Sequence, residues 1–338
     1  MSKRNMNKWI EDMIANDKKP ALPVLSFPAA QMQGVTVNEL VSNSDYQAQG
    51  VKLISDTYNV AAAQCYMNLS AEAEAFGATA IHSDNEIPTI VGQLISTPEQ
   101  ADELKIPAMG TGQTSTILEG IEKARALVPD KVLFAECIGP YSLAGRLMNV
   151  NEIMINCYDE PEMVHTVLEK STAFIIEYMK EFKKRGADGV IMAEPLTGIL
   201  SPTLADEFSH PYVKQIIDAV QDESFIVIYH NCGNETVHML SGIFSLGAKA
   251  YHFGDSIDMA DIVDKSPADV LVMGNISPAN QFVGGTVDSI KEATKALLSK
   301  CSYSKNFWIS SGCDVPPQTK PENIKAFFDA VDEFYAAK

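Results

Sequence analysis

Short β-rich runs alternate with long amphipathic segments from one end of this chain to the other, and nothing else in the sequence restricts the fold as much. The strand candidates are "PVLSF" (23–27), "NVAAAQCYM" (59–67), "KVLFAE" (131–136), "GVIMAE" (189–194), "FIVIYH" (225–230), "AKAYHF" (248–253), "DVLVMGN" (269–275) and "FWISS" (307–311), eight in all. The segments between them carry helix punctuation. Thr97 caps "PEQADEL" with Pro98 in the first turn, and Thr319 and Pro321 repeat the device before the last helix. In that helix Ile324, Phe327, Phe328, Val331 and Phe334 share one face. Regular strand–helix alternation specifies a parallel α/β sheet. Eight units with no Gly/Ser-rich or Pro-rich linker predict one domain over residues 1–338, a single (β/α)8 TIM barrel with an N-terminal helical extension. A doubly wound sheet is the alternative. It lacks its Gly-rich phosphate turn, because "SFPAAQMQG" after the first strand is no dinucleotide fingerprint.

Charge narrows the partners. Against 26 Lys and Arg stand 44 Asp and Glu, a formal net charge of −18. Such a surface repels phosphate backbones and anionic headgroups, so neither nucleic-acid binding nor membrane-surface binding is expected. The densest basic run, "KEFKKRG" at 180–186, reads as the solvated end of a helix. The N-terminal "MSKRNMNKWIEDMIAND" turns acidic before any apolar core of signal-peptide length, and no apolar run approaches the roughly 20 residues that cross a bilayer. A cytoplasmic protein is therefore expected. Its six scattered cysteines imply thiols rather than a disulfide framework.

Barrel enzymes place their chemistry at the C-terminal ends of the strands. Those ends here carry Glu136 and Cys137, Glu194, His230 and Cys232, His252 and Asp255, Asn275, and Cys313. At a strand end, residues i and i+2 point the same way, so His230 and Cys232 can hold one ion. Cys313 follows the last strand, where Gly312 lets the backbone approach. A His/Cys/Cys set is borderline-soft and suits Zn²⁺, with a position left for substrate. Taken singly, each of the three also reads as a buried core group. Asp255 and Glu194 are the carboxylates placed to complete the set, either as ligand or as a partner holding His230. His252, the remaining histidines and Cys137 read as structural.

The strings "YHNCGN" and "SSGCDVPPQTKPENIKAFFDAV" resemble the zinc motif of the methylcobalamin:coenzyme M methyltransferases, a branch of the uroporphyrinogen decarboxylase superfamily. "IGPYSLAGRLMNV" and "MNLSAEAEAFGA" resemble the same superfamily, so the likeness covers most of the chain. It implies that His230, Cys232 and Cys313 hold a zinc that activates a small thiol acceptor such as coenzyme M. It also implies methylcobalamin or another methylated corrinoid as donor. The chain has no Asp-x-His-x-x-Gly corrinoid motif, so the donor is expected on a partner corrinoid protein. The decarboxylase's arginine-bearing N-terminal motif has no counterpart in "KKPALPVLSFPAAQMQG". Cobalamin-independent methionine synthase, another barrel, also uses His-x-Cys, an intervening acid and a late Cys. Asp255 occupies roughly the place of that acid, which ranks it above Glu194. A zinc hydrolase, or a uroporphyrinogen decarboxylase-like enzyme of other activity, is the alternative function.

Overall fold

The computed structural model describes residues 3–337. Nine strands are β1 (Ala63–Gln64), β2 (Thr79–Ile81), β3 (Thr89–Val91), β4 (Leu133–Ile138), β5 (Gly189–Ala193), β6 (Ile226–Asn231), β7 (Ala250–Phe253), β8 (Leu271–Ile276) and β9 (Phe307–Ser311). β1 and β4 to β9 form one parallel sheet in that order, with helices between successive strands. The eighth stave is the segment 21–25. Leu22 donates its N–H to the Ile309 carbonyl at 3.1 Å, and Ala61 donates to the Ala21 carbonyl at 2.9 Å. These bonds join β9 back to the approach of β1 and close the (β/α)8 barrel. Pro20 and Pro23 have no N–H to give, so the stave makes isolated bonds in place of a ladder. All eight predicted runs are thus staves. β1 is shorter than expected because its other neighbour is this irregular segment.

Alternation along each strand divides the apolar residues into two layers. Phe134, Ile191, Ile226, Ile228, Leu271, Met273 and Trp308 face the barrel axis, while Val190, Met192, Val227, Tyr229, Val272 and Ile309 pack under the outer helices. The predicted N-terminal extension is the helix α1 (Met6–Ala15), capped by the Asn5 side chain. Its Met6, Ile10 and Met13 join the axial layer, and Trp308 donates its indole N–H to the Met13 carbonyl at 3.3 Å. This helix plugs the N-terminal end of the barrel, so the opposite end is the accessible mouth. The antiparallel pair β2 and β3 lies in the excursion after β1 and has no clear sequence signal, being three residues a strand with Ile81 and Val91 exposed. No helix among the described residues is long and apolar enough to cross a membrane.

Candidate metal centre at the barrel mouth

The axial layer is apolar at its base and polar above it. Two residues on from Phe134 stands Glu136, two on from Ile228 stands His230, two on from Ala250 stands His252, and two on from Trp308 stands Ser310. The period of two that fills the core carries these side chains inward as well. His230 and His252 are register partners across β6 and β7, both 1% exposed, with their Nδ1 atoms 2.6 Å apart. His252 Nε2 lies 2.7 Å from Ser310 Oγ. His230 Nε2 lies 3.6 Å from Cys313 Sγ. For His230 to present a lone pair to the sulfurs, its Nδ1–H donates to His252, which then donates through Nε2 to Ser310. Burial and the neighbouring His230 hold His252 well below the ordinary histidine range, so it stays neutral and fit to accept.

Cys232 completes the group. One donor atom each from His230, Cys232 and Cys313 lie within 4.8 Å of one another, a single such His/Cys/Asp/Glu set among the described residues. A hydrogen bond between the sulfurs lowers the Cys232 thiol below its ordinary value, and the same contact, with burial, pushes Cys313 up to about 12. Two glycines make this convergence possible. A Cβ on Gly254 would stand 2.4 Å from Cys232 Cβ, and one on Gly312 would stand 2.7 Å from Asp255 Cβ. Any side chain at either position would force the three strand ends apart. Two sulfurs and one imidazole at this spacing are a donor set of the kind that holds zinc.

The two acids considered for completing the set play different parts. Glu194 is fully buried with both oxygens engaged, Oε1 accepting from the Ser142 N–H at 2.8 Å and Oε2 from the Thr197 hydroxyl at 2.9 Å. Its carboxyl fastens the helix that follows β4 (Pro140–Met148) to the 3-10 turn that follows β5 (Pro195–Ile199). Asp255 is exposed and acts on Cys232 through its charge, outside the 4.8 Å set. Cys137 is 1% exposed and packs in the outer layer, as expected of a core thiol.

Two groups passed over from the sequence take part in the site. His252, read as structural, contacts His230 directly. Glu136 is 2% exposed, and neither of its oxygens has a hydrogen-bond partner. Burial, then Asp314 and Cys313, push it well above the carboxylate range. Asp314 accepts a 3.3 Å hydrogen bond from Ser26 at Oδ1 and leaves Oδ2 unpartnered. The available signal for Glu136 was an acid at an inward position of the otherwise apolar run "VLFAECI". Basic residues are sparse in the sequence that follows the strand ends. After β4 the first Lys or Arg is Arg146, whose charge partner is Glu72; after β7 it is Lys265, and after β9 the exposed Lys320. After the other staves the first basic residue lies farther along the chain.

A closed parallel barrel, plugged at one end and carrying its convergent donors at the other, defines a (β/α)8-barrel enzyme with its chemistry at the C-terminal mouth. The family is shown by sequence: the uroporphyrinogen decarboxylase (URO-D) model matches residues 15–334, and the chain belongs to that family. Its relatives include a methylcobamide:CoM methyltransferase, MtbA, of Methanosarcina acetivorans, 24% identical over 274 residues that make up 79% of this chain and 78% of that protein. A uroporphyrinogen decarboxylase of Prochlorococcus marinus is 28% identical over 252 residues, 71% of this chain and 70% of that one. Among solved structures, a methyltransferase from Methanosarcina mazei superposes with a TM-score of 0.85 at 22% identity, covering 98% of this chain and 100% of the other. A B12-independent methionine synthase from Shewanella superposes with a TM-score of 0.62 at 9% identity over 94% and 95% of the two chains. These superpositions establish the shared barrel.

Proposed function

We propose that this protein moves a methyl group from a methylated corrinoid, carried by a separate protein, to a small thiol, with zinc held by His230, Cys232 and Cys313. The observation that carries the reading is the approach of those three donors to within 4.8 Å at the barrel mouth. Similarity to methylcobamide:CoM methyltransferases supports it. Zinc, when bound, would supply a Lewis acid that lowers the pKa of a thiol, so that its proton goes to solvent, and would hold the sulfur as thiolate. The chain's own residues prepare that place. His252 and Ser310 fix the ring of His230 so that Nε2 faces the sulfurs, and Gly254 and Gly312 let the strand ends converge. The methyl carbon goes to the acceptor sulfur, and the electron pair of the carbon–cobalt bond stays on cobalt.

Decarboxylation of a polycarboxylate porphyrinogen, the activity named for other relatives, is the less favoured reading, since the arginine-bearing N-terminal motif has no counterpart in "KKPALPVLSFPAAQMQG". A zinc hydrolase is disfavoured by two thiolate donors, which weaken a metal as an activator of water.

The test is direct. The purified protein is expected to carry about one zinc per chain, to remove the methyl group of free methylcobalamin in the presence of a thiol, and to release close to one proton as the thiol binds. Loss of the methyl–cobalt absorbance and calorimetry in buffers of different ionisation enthalpy read the last two. Cys232→Ala and Cys313→Ala should lose both zinc and turnover. Full demethylation by a zinc-free variant would overturn the reading.

A further inference from the structure

The mouth holds an unmet electrostatic demand beside the three donors. Glu136 Oε1, Glu136 Oε2 and Asp314 Oδ2 are all buried and all without a hydrogen-bond partner, and Asp314 directly follows Cys313 in the chain. Buried polar atoms are nearly always paired, and a carboxyl with nothing to bond is costly to keep. Glu136 faces the axis from the position above Phe134, so its missing partner must come from the barrel lumen. Among the described residues no Lys or Arg bonds to these three oxygens, and a lumen walled by low-dielectric core strengthens whatever field the acids set up.

We propose that the thiol acceptor carries an ammonium group, and that Glu136, with Asp314 beside it, binds that group while the sulfur takes the position left by His230, Cys232 and Cys313. The proposal rests on the thiol-acceptor reading above and narrows its substrate class to aminothiols. An ammonium can donate to the unpartnered oxygens of Glu136, and a charged pair excluded from water is stronger than a neutral one. A sulfonate such as that of coenzyme M would set a negative charge against the unpartnered oxygens of Glu136 and Asp314.

A matched series tests this: 2-aminoethanethiol, ethanethiol and 2-mercaptoethanesulfonate share the thiol and the two-carbon spacer and differ in end charge. Binding to the zinc-loaded protein is measured by calorimetry, alongside zinc content. The aminothiol is expected to bind at least about tenfold more tightly than the sulfonate, the scale of one charge-assisted hydrogen bond. Glu136→Gln should bring that ratio close to one while zinc content holds. Asp314→Asn provides the same comparison if the first variant does not fold. Equal binding of all three thiols, a preference for the sulfonate, or a preference unchanged in both variants would overturn the ammonium site alone. Zinc loss in Glu136→Gln would also overturn it, by making the carboxyl a metal ligand. If none of the three thiols binds, ethanethiol included, the thiol-acceptor reading falls and this inference with it.

Discussion

His252 offers the sharpest test of how the site is held. Replacement by phenylalanine keeps a planar ring of similar size in a fully buried place, yet it removes the acceptor 2.6 Å from His230 Nδ1 and the donor 2.7 Å from Ser310 Oγ. Each lost hydrogen bond is worth about 1 kcal/mol, and the stranded His230 N–H adds a desolvation penalty of about 1–3 kcal/mol. His230 can escape part of this penalty by turning or changing tautomer, which takes Nε2 away from the sulfurs. Loss of such a supporting partner weakens metal affinity by about 10–100-fold, equivalent to about 1.4–2.8 kcal/mol. Competition against a fluorescent zinc chelator measures the affinity directly. Nitrogen NMR of the His230 ring reports the tautomer independently. His252→Gln, whose amide can both accept and donate, should recover part of the loss. Zinc affinity within twofold of the parent in His252→Phe, with the His230 tautomer unchanged, would refute the claim that His252 positions its neighbour.

Asp255→Asn should weaken zinc retention by about tenfold or less, whereas Glu194→Gln should leave zinc in place and lower thermal stability, because its carboxyl fastens Ser142 and Thr197; the reverse ranking would make Glu194 the ligand. Trp308→Ala should cost about 3–5 kcal/mol in urea unfolding, since the fully buried indole fills the base of the barrel and holds α1 through Met13; a change under about 1 kcal/mol would mean that α1 does not seal that end. Burial pushes Glu72 and Glu194 up to about 7 each, so the folded state binds more protons than the unfolded chain between the ordinary glutamate value of about 4.3 and 7. Their contribution is complete below the unfolded value and is lost as pH rises through 7, on the order of 3 kcal/mol for each group. The urea midpoint should therefore fall between pH 5 and pH 8, and a fall of equal size in the Glu72→Gln, Glu194→Gln double variant would exclude these two carboxyls as its source.

The barrel and much of the site's composition are legible in the amino-acid order alone, because both rest on short-range rules. Strand period, caps and the spacing of apolar residues are properties of neighbouring positions, and they marked all eight staves, although the first, expected at 23–27, lies at 21–25 and forms no regular ladder. The i, i+2 relation of His230 and Cys232 is equally local. Packing in three dimensions settles which distant groups meet and which are left unmet. Cys313 reaches His230 across 83 positions of chain because the curl of the sheet brings the mouth-side end of β9 towards that of β6, with β7 and β8 between them. The register of β6 against β7 turned a histidine read as structural into the partner of His230. Glu194 and Glu136 look alike in sequence, each an acid at the C-terminal end of an apolar strand. Only their surroundings distinguish them, because Ser142 and Thr197 on the neighbouring helical turns occupy both oxygens of one, while both oxygens of the other have no partner.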